Sequence, residues 1–254
     1  RLDYIDYDNI KFKKIIDIIC VTLGKRDFDK YLQKFIEINN YELINLIIID
    51  DSGDLEKIFK KNIFKNINYK YKHVKKPLID CFIEGSKLIE TNYTMWLNDD
   101  DYIVYPNFLK IVLENIIKYP NIDVFYGKGY YKDYITKNII KSPISNSLEI
   151  NTYIHFTNCY GMIQPSTFFK KELNSTFKDL IYDSIFDINF FILNINKKFK
   201  FINEDISETT INNDTITDQN KEKQLISHFH LLLDENIIPN NVIYNNINGL
   251  HTHF

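Results

Sequence analysis

Tyr93-Thr94-Met95-Trp96-Leu97-Asn98-Asp99-Asp100-Asp101 is the stretch on which the reading of this chain turns. Tyr93 to Leu97 is an apolar run that reads as a strand, and three successive carboxylates follow it. Stacked negative charges at one sheet edge repel unless a cation or strong donors compensate them. The chemistry favours a hard divalent ion with oxygen ligands, Mn2+ or Mg2+, itself disposed to hold phosphate. The plainer reading is a solvated acidic turn capping the helix that opens near Pro106, since Asp is a favoured N-terminal residue. The surroundings decide between them.

Upstream the same pattern repeats. Ile15 to Thr22 reads as a buried strand, and Tyr31, Leu32, Phe35 and Ile36 mark one helix face. Leu46 to Ile49 is a second strand, closed by Asp50-Asp51-Ser52-Gly53-Asp54, with a helical stretch over Leu55 to Phe59 and a strand over Tyr69 to His73. Leu78 to Glu90 reads as a helix. After the triplet, Phe108, Val112, Leu113, Ile116 and Ile117 form an amphipathic face ended by Pro120, and Asp123 to Tyr126 is one more strand. Strands alternating with helices predict an α/β fold with a mostly parallel, doubly wound sheet. Such sheets bind ligands outside the carboxyl ends of their strands. Three polar clusters fall there: Thr22 to Arg26, Asp50 to Asp54, and Asp99 to Asp101. Their coincidence favours a site over an acidic cap.

The second half is less regular. Gln164-Pro165-Ser166-Thr167-Phe168-Phe169 reads as a turn into an apolar segment, Phe186 to Leu193 as a helix and Phe199 to Ile202 as a short strand. Asn203 to Asn220 reads as a polar loop, and Lys221 to Leu233 as a helix before an Asn-rich tail.

At 254 residues, 44% hydrophobic and 26% charged, the chain suits one soluble globular domain. Its wealth of Ile, Asn, Lys, Tyr and Phe reads as codon drift and carries no function. A net charge of −3 gives no global pull toward nucleic acid or anionic membrane. Cys20, Cys81 and Cys159 match no metal spacing and no disulfide framework, which points to a reducing, cytoplasmic setting. No apolar run approaches the length of a membrane span and no signal-peptide pattern opens the chain; peripheral membrane association stays compatible.

The order of these motifs resembles the family 2 glycosyltransferases, whose nucleotide-sugar-binding domain has the GT-A fold. The resemblance rests on Val21-Thr22-Leu23-Gly24-Lys25-Arg26, Ile49-Asp50-Asp51-Ser52-Gly53-Asp54, Leu97-Asn98-Asp99-Asp100-Asp101, Gln164 to Glu172, and Phe186-Asp187-Ile188-Asn189-Phe190-Phe191, and it covers about residues 15 to 205. It implies a single domain over 1–254, with a nucleotide-sugar-binding half over about 12–125 and an acceptor-binding half with a tail over about 126–254. By the resemblance, Asp51 accepts from the N3–H of a uracil base and Thr22 helps hold base or ribose. The triplet is the family's D-x-D motif: Asp101 and Asp99 as metal ligands, Asp100 and Asp99 toward the nucleotide, with two registers open. Asp187 matches the catalytic base, and Gln164, Ser166 and Thr167 the acceptor side. The implied activity is metal-dependent, inverting transfer of a sugar from a UDP-type donor to a glycan or other hydroxyl acceptor. A single base with no second carboxylate nucleophile suits inversion. Two rivals are a catalytically silent module binding glycan or protein, and a sugar nucleotidyltransferase.

The chain departs from the family at Thr22-Leu23-Gly24, at Asn189 where many members carry Glu, and over Ser207 to Thr217, which holds no Arg or Lys. The lysines between Lys60 and Lys76 read as a solvated face, and Trp96 reads as core. His251 and His253 read as a terminal pair rather than extra metal ligands. Asp183 competes with Asp187 as base, and the following Asn189-Phe190-Phe191 favours Asp187.

Overall fold

Strands β1 (Ile16–Thr22) and β2 (Ile44–Asp50) are buried along their whole length, which is why they read as mostly apolar runs rather than alternating ones. The computed structural model describes residues 14–55, 57, 64, 66–133, 135–141, 163–180, 185–194, 196–211 and 227. β1 and β2 are parallel, paired from Ile16 with Ile44 to Thr22 with Asp50, so both strands end side by side. β3 (Tyr69–His73) lies parallel on β2, and β4 (Tyr93–Trp96) parallel on the other edge of β1, with Trp96 opposite Ile19. Three helices flank these strands: α1 (Phe28–Phe35), α2 (Leu78–Ser86) and α3 (Phe108–Lys118). Asp27 caps α1, its carboxylate accepting from the Lys30 amide at 3.2 Å.

Beyond β4 the sheet turns antiparallel. β8 (Thr167–Lys170) pairs with β4 and with β6 (Val124–Asp133), and β9 (Phe199–Ile211) runs parallel to β6. The short β5 (Asp101–Ile103) closes this edge antiparallel to β9, and β7 (Ile139–Lys141) pairs with the far end of β6. The order is therefore β3-β2-β1-β4-β8-β6-β9-β5. One sheet thus runs through both halves of the sequence.

Side-chain alternation divides the core between the two sheet faces. Ile16, Ile18, Cys20, Leu46 and Ile48 pack with Tyr31, Leu32 and Phe35 of α1 and with Phe108 and Val112 of α3. Ile19, Val21, Ile47 and Ile49 pack on the other face with Phe82 of α2 and with Phe190 and Phe191 of α4 (Phe186–Leu193). Trp96 is the centre of that face, as the core reading expects. The rings of Phe190, Phe169, Phe177, Phe82 and Phe186 surround it with centroids 4.7–5.6 Å away.

The structure corrects several element assignments. Asn203 to Ile211 belongs to β9 rather than to a loop, because β6 and β5 supply backbone partners on both sides of it. β6 runs on to Asp133, well past Tyr126, and the helix at Leu78 stops at Ser86. Lys171–Asp179 forms a run of 3-10 turns that packs Phe177 under Trp96. Of the lysines expected on a solvated face, Lys72 and Lys76 pair with Glu84, and Lys70 with Glu90. Cys159, Asp183, His228, His230, His251 and His253, and almost all of the expected helices over 55–59 and 221–233, lie outside the described residues. No helix among the described residues is long and apolar enough to cross a membrane.

Candidate functional site

Parallel pairing brings the carboxyl ends of β1, β2 and β4 together, and the three polar clusters with them. The Asp51 amide donates to the Thr22 carbonyl at 2.9 Å, and the Leu97 amide to the Ile19 carbonyl at 2.9 Å, so the strand ends are tied beyond their regular ladders. Tyr31 of α1 donates its hydroxyl to the Leu97 carbonyl at 3.0 Å and fixes the start of the acidic turn.

Four of these strand-end aspartates are treated in two different ways. Asp50 is fully buried and accepts from the Ser52 hydroxyl (2.6 Å) and amide (2.8 Å), the Leu55 amide (3.1 Å) and the Tyr71 hydroxyl (2.8 Å). Burial pushes its carboxyl up, but these donors outweigh it and hold it below the ordinary range. Asp50 therefore braces its loop, with Asp51 half-buried beside it. Asp101 is braced in the same manner. It is 3% exposed, its Oδ2 accepts from the Asn98 amide at 3.1 Å, and its Oδ1 from the Thr209 hydroxyl of β9 at 2.7 Å. The Asp101 amide returns a bond to the Asn98 carbonyl at 3.0 Å, and the Thr210 amide donates to the Asp100 carbonyl at 2.9 Å.

Asp99 and Asp100 are left with fewer partners. Asp99 accepts from the Thr22 hydroxyl at 2.5 Å, and that hydroxyl accepts in turn from the Gly24 amide at 3.0 Å. The guanidinium of Arg26 spans the pair: its Nε lies 3.6 Å from Asp99 Oδ1 and its terminal nitrogen 3.1 Å from Asp100 Oδ2. Burial pushes the Asp99 carboxyl up to about 6, with the Asp100 charge adding and Thr22 and Arg26 opposing. Burial raises Asp100 also, against Arg26. Asp101 stands well above the ordinary range, through burial first and the Asp100 charge second. Carboxyls raised by burial beside a specific charged partner at a strand end mark a candidate functional site. Among the described residues no three His, Cys, Asp or Glu side chains form a metal-holding group; the two carboxylates that meet do so on Arg26.

Asp187 lies in the first turn of α4, half-buried, and burial pushes its carboxyl up against the pull of the Ile188 amide. Packing links it to the triplet: Phe186 and Phe190 on either side of it pack on Trp96, tilted and edge-on, three residues before Asp99. Asn189, at the position where the family carries Glu, is 1% exposed, and neither atom of its amide has a hydrogen-bond partner among the described residues.

The acceptor-side residues are distributed differently from expectation. Ser166 and Thr167 are buried and spent on the fold: Ser166 donates to the Lys128 carbonyl at 2.8 Å and meets Ser207 at 2.5 Å, and Thr167 donates to the Ile163 carbonyl at 2.9 Å. A Cβ on Gly129 would stand 2.7 Å from the Ser166 hydroxyl, so only glycine permits this approach. Gln164 remains half-buried, its amide donating to the Trp96 carbonyl at 2.8 Å. A cavity of ≈ 300 Å³ lined by Asn39, Asn40, Asn107 and Lys110 shares no residue with this cluster.

Sequence reading missed Arg26, Thr209 and the bracing role of Asp50. Arg26 carried a readable signal, for of 31 basic residues only Arg1 and Arg26 are arginines. Thr209 carried none, because its partner is 108 positions away.

No protein-family model matches the sequence, and comparison with curated proteins finds no match. Solved structures do match. TarS of S. aureus (residues 1–349, with UDP) superposes with a TM-score of 0.62 at 15% identity, over 87% of this chain and 64% of that one. The mannosyltransferase PcManGT from Pyrobaculum calidifontis, with GDP-Man and Mn2+, gives 0.60 at 9% identity over 88% and 65%. Glucosyl-3-phosphoglycerate synthase from Mycobacterium tuberculosis, with Mn2+, UDP and glucosyl-3-phosphoglycerate, gives 0.60 at 12% over 94% and 87%. The chain spans about two thirds of the TarS and PcManGT chains it matches. At these identities the likeness establishes architecture: the parallel β3-β2-β1-β4 sheet and its antiparallel extension are the GT-A fold.

Proposed function

We propose that this chain is a nucleotide-sugar-dependent glycosyltransferase, moving a sugar from a UDP-type donor to a hydroxyl of a glycan with inversion. The observation that carries the reading is the unequal treatment of the strand-end aspartates. Asp50 takes four donors from its loop and β3 and Asp101 two from its turn and β9, whereas Asp51 is half-buried and Asp99 and Asp100 meet on one guanidinium. TarS and PcManGT, which share this architecture, were solved with UDP and with GDP-Man and Mn2+, and this supports the assignment.

Asp99 and Asp100 fit a hard divalent ion: two carboxylates together with diphosphate oxygens and water make a ligand set that Mg2+ and Mn2+ use. When bound, the ion neutralises the leaving diphosphate as a Lewis acid. In this reading Asp101 is not a metal ligand but a positioning residue, because Asn98 and Thr209 hold both of its oxygens. Thr22 orients Asp99, and Asp51 accepts from the base. Asp187 takes the proton of the acceptor hydroxyl as its oxygen bonds to the anomeric carbon and the bond to diphosphate breaks. Its raised pKa suits a general base, since a carboxylate nearer the working pH accepts a proton more readily. Gln164, beside Trp96, is the acceptor-side residue that keeps an accessible surface.

A thermal-shift panel of UDP- and GDP-sugars, with and without Mn2+, tests the proposal. A donor at a hundred times its dissociation constant adds about 2.7 kcal/mol, a rise of roughly 5–10 °C for a chain of this size. The absence of any metal-dependent shift would overturn it.

A further inference from the structure

Arg26 is held at the acidic pair by a short, pinned loop. Gly24 adopts a left-handed conformation (φ +67°), packed so tightly on Ser52 that a Cβ would collide with its hydroxyl. Three residues later Asp27 is fixed as the cap of α1. The backbone of Arg26 is thus anchored on both sides, while its side chain is 25% exposed and keeps one edge toward solvent. In a chain that uses lysine at nearly every other basic position, this place has a planar fork able to engage two carboxylates together. Thr22 donates to Asp99 Oδ2, while Asp99 Oδ1 and Asp100 Oδ2 lie against the guanidinium. Arg26 holds both.

We infer that Arg26 is a resident counter-ion, which closes the Asp99–Asp100 pair to a free divalent ion and yields it to an ion arriving with a nucleotide diphosphate. The inference rests on the glycosyltransferase reading above. An ion on those two oxygens places its charge against the guanidinium, and like charges at that separation repel. A free ion gains the carboxylates only by expelling Arg26 into water. An ion that brings a diphosphate also brings anionic oxygens, onto which the displaced fork turns with bidentate hydrogen bonds. Uptake of metal is thereby coupled to uptake of donor.

Mn2+ binding by electron paramagnetic resonance, with and without UDP, tests this without recourse to turnover. Without nucleotide, Arg26→Gln binds Mn2+ at least tenfold more tightly than the wild type, a change of about 1.4 kcal/mol. With UDP present, the same variant holds the Mn2+–UDP pair at least tenfold more weakly. Arg26→Lys, which keeps the charge but not the fork, stays within threefold of wild type for Mn2+ alone and provides a second reading should the glutamine variant not fold. Unchanged Mn2+ affinity in Arg26→Gln, beside intact Mn2+–UDP binding by the wild type, overturns the inference and leaves the glycosyltransferase reading standing. Failure of the wild type to bind Mn2+ with either UDP or GDP overturns that reading, and the inference with it.

Discussion

Asp17 and Asp99 are both buried aspartates in the β1–β4 region, one near the amino end of β1 and the other just past the carboxyl end of β4. At the lower end Asp17, fully buried, accepts from the side-chain amide of Asn45, the amides of Glu90 (3.0 Å) and Thr91 (2.6 Å), and the Thr91 hydroxyl (2.6 Å). Asn68 extends the network through Asn45 at 3.0 Å. All of these partners are neutral and are positioned by strands or by the turn entering β4, so the charge is stabilised by fixed dipoles and the bonds join four segments of chain. At the upper end Asp99 has the Thr22 hydroxyl, a longer contact to Arg26, and a second carboxylate next to it. One residue type at similar burial thus meets fixed neutral donors at one end and few donors beside a second carboxylate at the other. The difference lies in the donors, not in the aspartate.

The largest effect separating the two ends concerns Asp187. If the upper end carries chemistry, Asp187→Asn lowers transfer on the order of 10²–10⁴-fold and leaves the Mn2+-dependent thermal shift with nucleotide in place. A silent binding module would show no transfer in the wild type either, and a nucleotidyltransferase would instead turn over UTP with a sugar phosphate. The raised carboxyl adds a pH test. The base works ionised, so activity falls as pH drops through its pKa, and the acid limb of kcat/KM should lie above the ordinary Asp value of about 3.9. The same shift has the opposite sense for stability. A folded-state pKa above the unfolded one means stability is lost as pH rises from the unfolded to the folded value. Asp187→Asn should therefore melt no lower than wild type at neutral pH.

Next in size is an exchange of alanines between the two ends. Asp17→Ala leaves the donors of Asn45, Thr91 and Glu90 without an acceptor in the core, a loss on the order of 3 kcal/mol, or roughly 6–12 °C in Tm. Asp100→Ala removes a charge whose burial was already costly. Its Tm should stay within about 2 °C of wild type, while Mn2+–nucleotide affinity falls on the order of a hundredfold, about 2.7 kcal/mol. Calorimetry on both variants, with and without Mn2+ and UDP, reads the exchange. Equal losses of stability would erase the distinction between a structural and a functional end.

Much of this arrangement was legible in the sequence, and the reasons for the remainder are physical. β1 and β2 were readable because a strand buried on both faces is largely apolar, and the three strand-end clusters followed from parallel topology. β9 was not. Its polar residues between Asn203 and Thr210 resemble a loop because the partners that make them a strand, in β6 and β5, lie some seventy or more positions away. The roles within the triplet were hidden for a related reason. Asp99, Asp100 and Asp101 are identical in sequence, and only the turn from Asn98 to Asp101 points the third inward. The burial of Ser166 was not legible either, because the close approach at Gly129 that accompanies it comes from a strand more than thirty positions upstream.

The smallest effect tests whether β9 matters to the site at all. Among the described residues, Thr209 donates the one side-chain bond that fixes Asp101 from outside its own turn. Thr209→Val keeps the β-branched shape and the strand preference but removes the hydroxyl. It leaves a buried carboxylate oxygen with one donor fewer, costing about 1–2 kcal/mol, since hydrogen bonds to charged groups exceed the neutral average. A purely structural bond would stop there, and the variant would bind Mn2+–UDP as the wild type does once folded. If Asp101 positions its neighbours, loosening it also lets Asp99 and Asp100 drift, and Mn2+–UDP affinity falls several-fold at temperatures well below the melt. Measuring that affinity at 10–20 °C beneath each protein's own Tm separates the two outcomes. It also decides whether the satisfied aspartate of the upper end belongs with Asp17 or with the pair beside it.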